Sequence, residues 1–285
     1  MGGFFHRHRG VTPYLLLAPG MLWLAIFFLV PMGFLGYQSL QSGEFPNFQF
    51  TWQFSNFSTA LSDYHQQLIR SFVYAGIATI ACLVLAYPLV YWIAFRAGPW
   101  RNLFLLFIVA PFFVTYLVRT LAWLNILGDE GPVVRVLRDV HVLGPDGRLL
   151  ATTFAVVSGI TYNFFPFMAL PIYVSLEQMD ARLLEAAKDL YASSFQTFLR
   201  VTLPLSAPGI VAGTLLTFIP AAGDFINAYF LGTPQQTMIG NVIQAKFLDS
   251  LDYPTAASLS FILMGTIMVM LLVYARVVGT EKLTG

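Results

Sequence analysis

An all-α, polytopic membrane protein with six transmembrane helices is the fold class this sequence predicts, and three observations carry it. Of 285 residues, 57% are hydrophobic and only 10% are charged, against about 25% charged in an ordinary soluble domain, and the mean hydropathy is +0.71. Six apolar stretches are each long enough to cross a hydrocarbon layer that needs about 20 helical residues. The connections between them carry turn chemistry, as in Gly43-Glu44-Phe45-Pro46-Asn47 and Gly128-Asp129-Glu130-Gly131-Pro132.

Residues 1–13 form a short basic lead with His6, Arg7, His8 and Arg9. The first span follows at 14–37. Basic residues before an apolar run resemble a signal peptide, but this run is too long and lacks a small-x-small cleavage site near its end, so it is read as a retained helix. The other spans run over 71–95, 103–127, 152–176, 205–231 and 256–278, and residues 279–285 close the chain. No segment outside the spans reaches the roughly 50 residues of a minimal soluble domain. With the N-terminus inside, the inner segments carry nine Lys and Arg and the outer ones five, with Arg119 left inside a span. That bias places both termini of a multi-pass membrane protein in the cytoplasm.

The net charge of +1 offers no basic field for a nucleic-acid backbone. The single cysteine, Cys82, excludes an intrachain disulfide framework and a Cys-based structural zinc site, and no metal site is expected.

The inner segment 177–204 is patterned rather than merely polar. Leu183, Ala187 and Leu190 recur at helical spacing, with Asp180, Arg182, Lys188 and Asp189 offset from them, which predicts a short amphipathic helix. Ser193 with Gln196 fits a capping box and opens a second short helix that Pro204 ends. Glu185-Ala186-Ala187, then position 191, then Val201-Thr202-Leu203-Pro204 resembles the EAA signature of ABC-importer permeases, which reads E-A-A, three residues, G, nine residues, I-x-L-P. Leu205-Ser206-Ala207-Pro208-Gly209-Ile210, Gly223-Asp224-Phe225, Met238-Ile239-Gly240-Asn241-Val242-Ile243 and Tyr253-Pro254-Thr255-Ala256-Ala257 resemble the spermidine/putrescine branch of that family.

The resemblance implies the type I importer permease (MetI-like) fold, with 177–204 as a coupling segment seated in a separate ATP-hydrolysing subunit. Glu185, Ala186, Ala187, Asp189, Tyr191, Leu203 and Pro204 are the expected contacts. Tyr191 departs from the family's glycine. A left-handed turn costs a residue with a β-carbon roughly 1 to 2 kcal/mol, so either Tyr191 is strained or the first helix runs on to Ser193-Ser194. The implied partners are a second permease subunit in a heterodimer, two ATP-binding subunits, an extracytoplasmic substrate-binding protein and membrane lipid. The implied cargo is a polyamine.

The chain carries no engine of its own. Its lysines are Lys188, Lys246 and Lys282, none preceded by glycine as a P-loop requires. No cofactor is expected on this chain, and ATP and Mg belong to the partner ATPase. An intramembrane hydrolase fails too, because all four histidines lie outside the spans and Asp224 is the only carboxylate among the facing helices. An ion-coupled secondary transporter would need its own ion site and inverted repeats, and neither is visible.

Arg119 and Asp224 are the charges inside the spans, each costing roughly 2.5 to 3.5 kcal/mol at a helix centre. Counted from Leu127 and Leu231 along straight helices, both lie about 10 to 12 Å below the outer ends, so an Arg119–Asp224 pair is one reading. The other puts Asp224 on a route lined by Tyr116, Trp123, Tyr162, Asn163 and Asn227, able to hold an ammonium. An unpaired Arg119 on that route favours an anionic or opine-like solute instead.

Overall fold

The computed structural model describes residues 12–278. The basic lead up to residue 11 and the C-terminal segment 279–285 lie outside the described residues. The chain divides into two compact units, residues 1–63 with 245–262 and residues 64–244 with 263–285.

The smaller unit opens with α1 (Thr12–Leu24), a π-helical turn (Ala25–Leu29) and α2 (Val30–Ser39). The most apolar window of this stretch has no buried residue, and a helix apolar all round belongs in hydrocarbon. A two-stranded antiparallel ribbon follows, β1 (Gln41–Ser42) with β2 (Gln49–Phe50), in the register Gln41 to Phe50. Gly43 makes its turn at φ +102°, where a β-carbon would lie 2.5 Å from the Asn47 carbonyl. Asn56 Nδ2 donates to the carbonyls of Ser39 (2.9 Å) and Gln41 (2.8 Å), which fixes the ribbon to the following helix.

That helix, α3 (Ser55–Arg96), leaves helical geometry at Tyr64 (φ −119°, ψ 15°) and begins well before the expected second span. The larger unit continues with α4 (Arg101–Val109), a 3-10 turn (Ala110–Phe113), α5 (Tyr116–Leu127) and α6 (Pro132–Asp139). Helix α7 (Thr153–Glu177) starts at Thr152, whose Oγ1 accepts the Ala155 amide at 3.2 Å. Then come α8 (Ala181–Asp189), α9 (Ser194–Thr197), a π-helical turn (Phe198–Thr202), α10 (Leu203–Leu205), α11 (Ala207–Ala222), α12 (Ile226–Leu231), α13 (Ile239–Gln244) and α14 (Tyr253–Val278).

Helix α7 is the axis of this unit. Thirteen of its 25 residues are buried, and its N-terminal and C-terminal halves feed two cores. Val156 and Ile160 pack with Leu127, Ala221, Ala222 and Leu231, while Met168, Ile172 and Leu176 pack with Cys82, Ala86 and Val90. Gly209 and Gly213 draw α11 onto it. A β-carbon at Gly209 would sit 2.5 Å from the Pro171 carbonyl and one at Gly213 2.9 Å from Met168 Sδ. This is the small-residue spacing that lets membrane helices approach closely, so these glycines tighten the packing.

Among the described residues, four helices are long and apolar enough to cross a membrane, and six crossings result if each of two bent pairs counts as one. The stretches expected to cross at 103–127 and 205–231 are each interrupted and do not form single straight helices. The third breaks at Val114 and Thr115, both extended, with the flanking helices bent by 98°. Pro111 withholds one amide from the helical ladder, and β-branched residues tolerate the extended backbone that follows. The fifth stretch bends by 63° between α10 and α11 and stops again at Gly223. There the Asp224 carboxylate competes for amides that a continuous helix would use.

Candidate functional site

The segment after α7 folds as a helix, a tight turn and a second helix. The expected capping box is present. Ser193 Oγ accepts the Gln196 amide at 3.3 Å, and Gln196 Oε1 accepts the Ser193 amide at 3.1 Å. Tyr191 sits at φ 56°, so it occupies the left-handed turn where the family carries glycine, and α8 does not run on to Ser193. Its side chain is 97% exposed, next to Leu190 at 80% and near Phe195 at 69%. An apolar ring in a strained backbone with nothing covering it is an unfinished contact. Glu185, Ala186 and Asp189 are also exposed, whereas Ala187 is buried against the rest of the chain. Leu203 is half-buried and Pro204 exposed, both in α10 beyond the π-helical turn.

The second group is a buried polar knot where α5, α7 and α12 meet. Tyr116 stands on the first turn of α5, immediately after the break at Thr115, and its hydroxyl donates to Asp224 Oδ1 at 2.8 Å. Asp224 Oδ2 accepts the Asn227 backbone amide (3.2 Å) and Asn227 Nδ2 (3.0 Å), so the carboxylate caps α12 as it binds α5. Asn227 Nδ2 donates also to the Tyr116 hydroxyl at 2.6 Å. Asn227 Oδ1 accepts from Thr120 Oγ1 (3.3 Å) and from Asn163 Nδ2 (3.2 Å). The close approach of α12 to α7 requires Gly159, where a β-carbon would fall 2.5 Å from both Asn227 Oδ1 and Leu231 Cδ1.

Arg119 and Asp224 form no ion pair among the described residues. Tyr116 stands between them, with its hydroxyl on the carboxylate and its ring under the guanidinium. Arg119 Cζ lies 5.5 Å from the Tyr116 ring centroid and 5.0 Å from that of Phe112. Arg119 is 8% exposed, and its Nε and Nη1 are buried without a hydrogen-bond partner, as is Asn163 Oδ1. Tyr162 and Trp123 stand apart from the knot, ring to ring at 5.5 Å, with Tyr162 39% exposed. Because α12 is a separate short helix, rise per residue along one straight axis does not apply to Asp224. Thr120 joins the knot without having been singled out, although its position four residues after Tyr116, on the same face of α5, was the available signal.

Broken apolar helices around a buried polar centre, with a projecting helix-turn-helix, define a membrane-embedded transport component. The chain belongs to the family of binding-protein-dependent transport system inner membrane components, which matches residues 57–278. It is 37% identical over 256 residues to the spermidine/putrescine transport system permease protein PotB of Haemophilus influenzae, covering 89% of this chain and 90% of that one. The protein of the same name from Escherichia coli is 36% identical over 256 residues, covering 89% and 93%. The inner membrane ABC transporter permease protein YdcU of Escherichia coli is 30% identical over 283 residues, covering 92% and 88%. A crystal structure of a bacterial ABC transporter involved in the import of the acidic polysaccharide alginate superposes with a TM-score of 0.76 at 17% identity, over 99% of this chain and 98% of that one. That likeness establishes the type I importer permease fold.

Proposed function

We propose that this chain is one permease of an ATP-driven polyamine importer, forming half of the translocation pathway in a bacterial inner membrane with both termini in the cytoplasm. The second half is a different permease subunit. Two ATP-binding subunits power the cycle with ATP and Mg, and an extracytoplasmic binding protein delivers spermidine or putrescine. The substrate class is carried by the 36 to 37% identity, across 89% of the chain, to relatives named for spermidine/putrescine transport.

The segment 177–204 is the part the ATPase grips. Glu185 and Asp189 offer exposed carboxylates for charge-assisted contacts, and Ala186 leaves room for close helix approach. The exposed Tyr191 ring fills the space that a glycine would leave empty. Closure of the ATPase pair pushes this segment, and Leu203 and Pro204 pass the push to α11, where the glycine contacts on α7 move both helices together. In the pathway, Asp224 positions rather than receives. Its oxygens are committed to Tyr116 and Asn227, so its role is to hold the break open in a defined shape. Trp123 and Tyr162 offer aromatic faces that attract an ammonium.

One observation favours a second reading. The buried guanidinium of Arg119 has two nitrogens without acceptors, which suits a carboxylate-bearing solute. The test is uptake into proteoliposomes holding both permeases, both ATPase subunits and the binding protein. ATP-dependent accumulation of putrescine, unimpaired by Arg119→Met, supports the polyamine reading. Uptake of an anionic solute that Arg119→Met abolishes supports the second, and uptake by this chain alone without ATP contradicts both.

A further inference from the structure

A cavity of about 430 Å³ lies in the smaller unit, between the ribbon turn and the start of α14. Its walls carry two carboxylates, one amine and two phenyl rings: Glu44, Asp252, Lys246, Phe45 and Phe48. The Asn47 amide donates to the Glu44 carbonyl at 2.7 Å, closing a turn that holds Glu44, Phe45 and Phe48 on one wall. On the other wall the Asp252 amide bonds the Lys246 carbonyl at 2.8 Å.

The charges do not stand equally free. Asp252 Oδ1 accepts the Thr255 amide at 3.3 Å and so caps α14, while Oδ2 accepts Lys246 Nζ at 3.1 Å. That ion pair is about two-thirds buried and cancels itself. The Glu44 carboxylate is exposed and takes part in none of the four ion pairs found among the described residues. One uncompensated negative charge therefore remains in the cavity.

The rings beside it are arranged around Tyr253. Phe48 lies 5.6 Å from that ring, Phe247 5.1 Å, and Phe45 6.4 Å edge-on. Phe45 nevertheless remains 56% exposed. A carboxylate next to exposed aromatic faces attracts a cation that also carries apolar carbon, since the charge meets the carboxylate and the carbon chain lies along the rings. A metal ion would need more oxygens than one free carboxylate supplies.

We propose that this cavity is a binding site for the ammonium end of a free linear alkylamine, with Glu44 as its charge partner and Phe45 and Phe48 as the walls for its carbon chain. The ligand class rests on the polyamine reading above, and the outward placement of the ribbon turn on the orientation proposed there.

The test is titration of putrescine onto the full importer in lipid nanodiscs, without binding protein, by calorimetry. Glu44→Gln weakens binding about tenfold or more, the loss of one charge-assisted contact. Phe48→Leu weakens it about threefold, as loss of a ring face does. Lys246→Gln tightens it, because Asp252 is then uncancelled. These opposite signs separate the proposal from misfolding. 1-Butanol, with the carbon chain and no charge, does not compete. Putrescine binding that none of the three variants changes, or no binding to the wild type, overturns the site. So does a Glu44→Gln variant that loses only the binding protein, since the carboxylate then takes a lysine from that partner. ATP-driven putrescine uptake separates the two ideas. If it persists while the cavity variants bind as wild type, the site fails and the importer stands. If the wild type transports no polyamine, the importer reading fails by itself.

Discussion

Replacing Gly159 with alanine tests whether the knot at Asn227 is a built part of the molecule. The added β-carbon would meet Asn227 Oδ1 and Leu231 Cδ1, each at 2.5 Å, which is about 1 Å inside ordinary contact. Both neighbours are fully buried, so neither can swing into open space. Overpacking of this kind costs about 1 to 3 kcal/mol. Displacing Asn227 Oδ1 also strains its hydrogen bonds from Thr120 and Asn163, at about 1 kcal/mol each. The expected loss is therefore about 3 to 5 kcal/mol. Gly265→Ala is the matched control, because a β-carbon there meets nothing within 4 Å and alanine favours the helix. Unfolding of both variants in mixed micelles, followed by tryptophan fluorescence, reads the difference. If Gly159→Ala is as stable as Gly265→Ala, α12 does not approach α7 as described and the knot loses its support.

Two further substitutions bear on the same elements. Asp224→Asn turns one acceptor oxygen into a donor facing the donors of Tyr116 and Asn227, so it is expected to lower stability by about 1 to 3 kcal/mol, read by the same unfolding assay. A variant as stable as wild type would mean that the carboxylate is not anchoring the break. Tyr191→Gly removes a left-handed strain of about 1 to 2 kcal/mol, so amide exchange of the turn should not accelerate by more than the added chain freedom explains. The same variant removes the exposed ring, and ATP hydrolysis by the assembled importer should respond less to loaded binding protein. Full coupling without the ring would show that it makes no contact of consequence.

The helical class was legible because hydropathy over about 20 residues reports whether a segment can sit in hydrocarbon. The helix-turn-helix of 177–204 was legible for a different reason, since a capping box and a terminal proline are local signals, and Tyr191 was flagged by the glycine it replaces. The breaks were not legible as breaks. Hydropathy records composition, whereas continuity of a helix depends on which amides find carbonyls, and Val114, Thr115 and Gly223 are all apolar enough to pass unnoticed. The Arg119–Asp224 pairing was left open for the same reason, and straight-axis counting could not place the Tyr116 ring between them. Thr120 was missed because a hydroxyl next to a buried arginine reads as ordinary.

The central claim is that the turn after α8 faces the cytosol and is covered there by a separate ATPase. The direct measurement is labelling of Leu190→Cys with a membrane-impermeant maleimide in sealed vesicles of each orientation. Leu190 is 80% exposed and the native Cys82 is fully buried, so the background is silent. The expected result is labelling in inside-out vesicles only, blocked when the ATPase subunits are added. Labelling in right-side-out vesicles, or labelling that the ATPase leaves unchanged, contradicts the account.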